Sequence, residues 1–319
     1  MKLNKSDYKL LSYLYHNHRE PITKIAKACH LSREQVNYRL NKYLSEGLIR
    51  KFCPIFNYTK LGYNYFVILF LKLDKLSNES VFFNKLSKDK NCISFGKVFG
   101  KYDIYANFIF RDEQDFSNYL SKLLESPIPI SDYLVIKPYF AELYPLKFFD
   151  HAELDRLLIV GKSSEKITLD KKDILILKEL SNDSRARLVD IADKLNTSSE
   201  FVLHRLKRLK KEEIILGSRI QFDMEKVGFH FSEILLNIRN FSEENKNKVK
   251  KFAKTSKHVN SLIFSLTKPN CIIQLFHKEE SELRSTIQKI KKLFEDEIID
   301  LDFMLITDET KHINPLPFL

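Results

Sequence analysis

Apolar positions in the first sixty residues recur at helical spacing. Tyr8, Leu11, Leu14 and Tyr15 share one face at the i, i+3, i+6, i+7 intervals of an amphipathic helix that starts after Leu3-Asn4. Pro21 suits the first turn of a second helix reaching about Cys29, where its missing N–H costs nothing. The break at His30-Leu31 precedes Ser32, a good N-cap for a third helix. That helix buries Val36, Leu40 and Tyr43 and ends at Gly47, a left-handed C-cap. Residues 48–57 alternate loosely and contain Pro54, the pattern of a two-stranded wing whose edge tolerates proline. The rhythm then becomes β-α-β-β-α-β, with strands over 66–73, 93–99, 104–110 and 133–143 and helices over 79–88 and 113–124. This is the ferredoxin-like split βαβ order.

The whole pattern recurs at an offset of 166 residues. Asp7, Arg19, Ile25, Ala26, Ser32, Val36, Arg39, Leu40, Glu46, Lys60 and Gly62 return as Asp173, Arg185, Ile191, Ala192, Ser198, Val202, Arg205, Leu206, Glu212, Lys226 and Gly228. A period this long makes each copy a domain-sized unit rather than a solenoid repeat. Strands over 232–238, 259–266, 271–276 and 300–306 and helices over 246–255 and 281–293 repeat the βαββαβ order. The expected class is α+β: two winged helix-turn-helix domains, each followed by a ferredoxin-like βαββαβ domain. The expected bounds are 1–62 and 63–145 for the first unit and 169–228 and 229–311 for the second. A linker, 146–168, holds a helical turn around Leu154, Leu157 and Leu158 and a flexible Gly161-Lys162-Ser163-Ser164; 312–319 is a tail. Two helices cover only one face of each sheet. The strands over 66–73 and 104–110 are apolar on both faces, so the two sheets are expected to pack face to face, with Ile234, Leu236, Ile238, Ile263 and Ile273 offered by the second unit.

The chain has 319 residues, 44% hydrophobic and 30% charged, a soluble globular composition. No apolar run reaches the ~20 residues of a membrane span, and MKLNKSDYKL lacks the apolar core of a secretory signal. The expectation is a cytoplasmic protein with no membrane partner. Cys29, Cys53, Cys92 and Cys271 stand singly, as core thiols of a reducing compartment do. The net charge of +11 favours a polyanionic partner, and it is unevenly placed. Residues 1–60 hold twelve Lys/Arg against four Asp/Glu, whereas 169–226 hold thirteen against eleven.

Two short helices joined by a tight turn, the second capped by serine, make a helix-turn-helix. The free face of the third helix carries Arg33, Gln35, Asn37, Tyr38, Arg39 and Lys42 against Glu34 alone. Arg33, Gln35, Asn37 and Tyr38, near the start of this helix, are candidates for base edges, and Ser32 at its cap joins the DNA-binding set. Arg39 and Lys42, with Arg50 and Lys51 on the wing, suit phosphates. The second copy offers His204, Arg205, Lys207 and Arg208 for a weaker contact. The expected partner is double-stranded DNA.

These motifs resemble the Lrp/AsnC, or feast/famine, family of transcription regulators. The carrying residues are Ile22-x-x-Ile25-Ala26, Leu31-Ser32-x-x-x-Val36-x-x-Arg39-Leu40, Gly47-Leu48-Ile49, Lys60-Leu61-Gly62-Tyr63 and Gly100-Lys101-Tyr102-Asp103. The second unit departs at Thr197, at Glu213 in place of the helix-ending glycine, and at Thr267-Lys268-Pro269-Asn270 in place of the Gly-Lys-Tyr-Asp turn. The resemblance implies a sequence-specific DNA-binding regulator, an intramolecular pseudo-dimer, with self-association through the βαββαβ domains. It also implies a small effector such as an amino acid near Gly100, Tyr102 and Asp103, although Gly-x-x-Asp equally suits a plain β-turn. No cofactor, metal site or catalytic residue is expected. A ligand-independent architectural DNA-binding protein is one alternative. Siroheme decarboxylases share the architecture, but their His-Asn-Tyr and Asn-Leu-Trp-Phe signature has no counterpart in a chain without tryptophan, where His258 precedes Val259-Asn260.

Overall fold

A computed structural model describes residues 2–75, 78–149, 157–160, 166–307 and 313–318. The first helix, α1 (Lys5–Asn17), opens on a capping box: the Asn4 side chain accepts the Asp7 N–H, and the Asp7 carboxylate accepts the Asn4 N–H. Helices α2 (Ile22–Cys29) and α3 (Arg33–Ser45) follow, α3 starting on a second box between Ser32 and Gln35. Gly47 takes φ +67° after α3. The second unit repeats the trio as α6 (Lys171–Asn182), α7 (Leu188–Lys194) and α8 (Ser199–Lys211).

The expected two-stranded wing does not form within either copy. Residues after α3 make a single strand, β1 (Ile49–Phe56), which pairs antiparallel with its counterpart β8 (Ile215–Phe222) from the other unit. Each strand then supplies apolar residues to the opposite helix trio. Ile220 and Phe222, with Met224 and Phe229, join Leu11, Leu14, Ile25 and Leu40 in the first trio's core. Phe56 joins Ile176, Ile191, Val202 and Leu206 in the second. The exchange is closed by two lysines related by the repeat. The Lys60 ammonium donates to the Glu212 carbonyl at the end of α8, and Lys226 donates to the Glu46 carbonyl at the end of α3. Each of α3 and α8 is therefore capped at its negative end by a cation from the other unit.

The remaining first-unit strands are β2 (Tyr65–Leu73), β3 (Cys92–Phe99), β4 (Ile104–Phe110), β5 (Ile130–Ile136), β6 (Pro138–Leu143) and β7 (Leu157–Val160), with α4 (Glu79–Ser87) and α5 (Glu113–Leu124) between them. The second unit adds β9 (His230–Ile238), α9 (Glu243–Thr255), β10 (Val259–Ser265), β11 (Cys271–His277), α10 (Glu280–Phe294) and β12 (Ile298–Thr307). The expected strand over 133–143 is two strands, because Pro138 lacks the N–H that would continue the ladder. Strand β5 stays beside β2, whereas β6 leaves to pair with β10 of the second unit. At that corner the Lys137 N–H donates to Thr267 Oγ1, and its carbonyl accepts the Leu266 N–H. Leu157 and Leu158 lie in β7 against β6, not in a helical turn. Leu154 and Gly161-Lys162-Ser163-Ser164 lie outside the described residues.

One sheet of ten strands results, in the order β5-β2-β4-β3-β12-β9-β11-β10-β6-β7. It folds over so that its two halves also face each other. Ile68, Phe70, Tyr105 and Ile136 from the first half pack with Leu235, Ile263, Ile272 and Met304 from the second. The face-to-face core is real, but its second-unit face is the opposite one from that expected. Ile234, Leu236, Ile238 and Ile273 point to their own helices, and of the named residues Ile263 alone reaches the shared core. The tail is docked: Leu316 enters the second trio's core, Phe318 stacks on Tyr63 at 4.0 Å, and the Tyr58 hydroxyl donates to the Pro315 carbonyl. Among the described residues, no helix is long and apolar enough to cross a membrane.

Candidate nucleic-acid interface

The α3 sequence buries Val36, Leu40 and Tyr43 and leaves Ser32, Arg33, Gln35, Asn37, Tyr38 and Lys42 exposed. Tyr38 is 68% exposed, a large aromatic ring held in solvent on the free face of the helix. The Gln35 Oε1 accepts the Ser32 N–H at 2.9 Å, so one end of this amide serves the cap. Lys42 is 3.9 Å from Glu46, both near half exposed, a weak surface pair.

Arg39 has a different environment. Its guanidinium donates to the Asp7 carboxylate, which also accepts the Tyr43 hydroxyl at 2.6 Å, and the three tie α3 to the first turn of α1. Burial alone would raise the Asp7 pKa; the Tyr43 hydroxyl, the Asn4 N–H and Arg39 together hold it below the ordinary value. The second copy repeats the arrangement. Arg205 donates to Asp170 at 2.7 Å and to Asp173 at 3.2 Å, and Arg208 donates to Asp173. Arg39, Arg205 and Arg208 thus brace the helix trios, and of the four residues expected to make the second copy's contact, His204 and Lys207 are the exposed ones, beside the exposed Lys210 and Lys211. Arg50 and Lys51 lie in the ladder between the units rather than on a projecting wing. Arg50 pairs with Asp223 of the second unit, and Lys51 Nζ reaches the Ile313 carbonyl at 3.4 Å.

The profile of the AsnC-type helix-turn-helix domain matches residues 169–210, and that of a winged helix-turn-helix DNA-binding domain matches residues 3–50. The chain is 29% identical over 125 residues to an uncharacterised HTH-type transcriptional regulator, PH0061, of Pyrococcus horikoshii; the match spans 39% of this chain and 84% of that protein. It is 25% identical over 118 residues to the HTH-type transcriptional regulator FL11 of Pyrococcus furiosus, spanning 37% of this chain and 78% of the relative. The chain is Lrp/AsnC-like. Each relative is thus covered over most of its length by little more than a third of this chain. The crystal structure of the siroheme decarboxylase NirDL superposes on 99% of this chain and 96% of its own, with a TM-score of 0.64 at 15% identity. At that identity the match shows the fold, and it extends across both units.

Within the first unit, the Gly100 turn is used structurally. Gly100 sits at φ +149°, where an added Cβ would lie 3.5 Å from Met304 of the second unit. Tyr102 is buried in the shared core, and the Asp103 carboxylate accepts the Leu73 N–H at 2.8 Å. The three residues make a turn at the seam of the units, and Asp103 spends an oxygen on the backbone. Sequence reasoning missed a cavity of about 220 Å³ between the β1–β8 ladder and the folded sheet. Asn57, Tyr58, Asn107, Arg219 and Gln274 supply its polar wall, with Phe66, Ile68 and Ile263 among the apolar residues. These residues come from four distant segments, so no local motif could have disclosed them.

Proposed function

We propose that this chain is a cytoplasmic, sequence-specific DNA-binding transcription regulator in which one polypeptide does the work of an Lrp/AsnC-type dimer, without catalysis and without a cofactor. The observation that carries this reading is the reciprocal strand exchange. It couples two serine-capped recognition helices through an antiparallel ladder, and a pair so held suits two half-sites on one face of a duplex. The α3 face offers Arg33, Asn37 and Tyr38 to base edges. Lys42 is placed for phosphates, and Arg39, braced by Asp7, orients the helix. The relatives' names point the same way. A decarboxylase reading has the NirDL fold behind it, and loss of carbon dioxide from siroheme incubated with the purified chain would support it.

A small effector fits the cavity beneath the ladder better than the Gly100 turn, because both recognition helices hang on β1 and β8. Phe99 and Phe303 are 68% and 53% exposed on neighbouring strands, which supports self-association of chains through the sheet domains. The decisive experiment is selection of duplexes from a random pool by the full chain, followed by footprinting. The expected site is an imperfect palindrome, since α3 and α8 differ. Arg33→Ala or Asn37→Ala should cost about 1–3 kcal/mol on that site and relax one position. A footprint with no sequence preference would overturn the regulator reading in favour of an architectural one.

A further inference from the structure

A groove of about 360 Å³ lies between the end of α1 and helices α7 and α8, at the junction of the two units. Five cationic side chains converge on it: Arg19 from the first unit and Arg185, Arg187, Lys207 and Lys210 from the second. Arg19 and Arg185 are equivalent positions of the repeat and meet where the units touch, with His18 Nε2 and the Ser184 hydroxyl 2.7 Å apart beside them. Among the described residues, both arginines are held in place without an ion pair. Arg19 donates to the Ser184 and Ala186 carbonyls, and Arg185 lies over the Phe52 ring at 5.3 Å. Among the described residues only Arg187 of the five is ion-paired, to Asp190. Asp183 acts on Arg19 and Arg185 from the loop after α6. Asp193 acts on Arg187 as well, so three carboxylates, Asp183, Asp190 and Asp193, face five cations, and the groove carries a net positive charge.

Such convergence is unfavourable without a counter-charge. Burial, and then the nearby Arg19, push the Lys210 ammonium below its usual range, and burial lowers Arg19 and Arg185 as well. A phosphate would reverse that penalty, and planar guanidinium forks match its oxygens. The other side of the junction is different. At the repeat positions of Ala186, Arg187, Lys207 and Lys210 stand Glu20, Pro21, Asn41 and Leu44. The second helix trio, nearly neutral in total, thus gathers its positive charge on the flank that faces the first.

We propose that this groove binds phosphates of the DNA strand passing between the two recognition helices, on the second unit's side only, so that the pseudo-dimer sits on its site in one orientation. The inference rests on the DNA-binding reading above. Lys207 lies on the exposed face of α8, so the groove opens beside the helix that reads the second half-site. The second unit then contributes affinity through backbone phosphates where the first contributes base contacts.

The test uses the full chain and its selected duplex, titrated at several salt concentrations. The double variant Lys207→Ala/Lys210→Ala should flatten the log–log salt dependence by about two units and leave the ranking of sites unchanged. Neutral methylphosphonates placed beside the second half-site should weaken the wild type and leave the double variant unaffected. The same groups beside the first half-site should weaken both alike. An unchanged slope in the double variant, with Asn37→Ala still losing specificity, would overturn the groove and spare the regulator reading. Failure of the wild type to prefer any duplex would sink that reading itself. Inorganic tripolyphosphate is the second probe: if it binds stoichiometrically through Lys207 and Lys210 without competing with DNA, the groove serves a free polyphosphate and the DNA assignment is wrong.

Discussion

Asp7 and its copy Asp173 are single residues that hold whole helix trios together. Because its folded pKa is depressed, Asp7 contributes stability that is fully present above the ordinary carboxylate range of about 4 and is lost as pH falls through its folded value. Resistance to denaturant should therefore fall on acidification below about pH 4, and Asp7→Asn should flatten that step. Arg39→Ala should cost about 1–3 kcal/mol of stability, because it leaves a mostly buried carboxylate short of a donor. Its salt dependence of DNA binding should stay near wild type, the reverse of what a phosphate contact would give. Glu213 is the second informative residue. It occupies the repeat position of Gly47 and is forced to φ +55°. Glu213→Gly should raise thermal stability by about 1 kcal/mol, since glycine adopts that conformation without the Cβ penalty. The sequence disclosed this misfit, because the repeat aligns glutamate with a glycine that ends a helix. It hid the role of Arg39, because a basic residue on a recognition helix looks the same whether it faces a phosphate or a carboxylate from another helix.

Most helices were legible to within a residue or two, although α9 starts three residues before the expected 246 and the helical turn expected around Leu157 and Leu158 is a strand. Asn4, Ser32 and Ser198 mark their starts chemically, and the 3.6-residue period shows which face is buried. Strands were legible as segments but not as partners. Alternation in 48–57 announces a strand, and nothing local says that it pairs with residues 215–222 instead of folding into its own wing. Where both faces of a strand are buried, as in β9, alternation alone does not say which side meets the helices, so Ile234, expected in the shared core, packs under its own helices, and Leu235, which was not singled out, enters that core. The reciprocal lysine caps can be tested at this scale. Lys226→Ala should destabilise α3 by about 0.3–1 kcal/mol, read as faster amide exchange in its last turn. The same variant should tolerate wider changes in half-site spacing, because one clamp between the helix ends is gone; unchanged spacing tolerance would show that the ladder alone sets the distance.

The two units share one ten-stranded sheet and lend residues to each other's cores. A protease cut engineered at Gly161 should leave both pieces co-migrating on gel filtration, because β3–β12, β6–β10 and β1–β8 pairings all cross between them. Separate expression of residues 1–160 should yield aggregate, since β1, β3 and β6 would each present an unpaired edge. The departure of β6 from its own sheet has a temporal side. On a ribosome, Pro138–Leu143 is made about 120 residues before its partner Val259–Ser265. At ~5–20 residues per second it waits roughly 6–24 s with an open edge. Nascent chains stalled near residue 200 should therefore be protease-sensitive around β6 and should recruit chaperones, and both signals should vanish once residue 265 has cleared the exit tunnel. Joining two such units in one chain removes the search for a partner subunit but replaces it with a wait for the rest of the molecule.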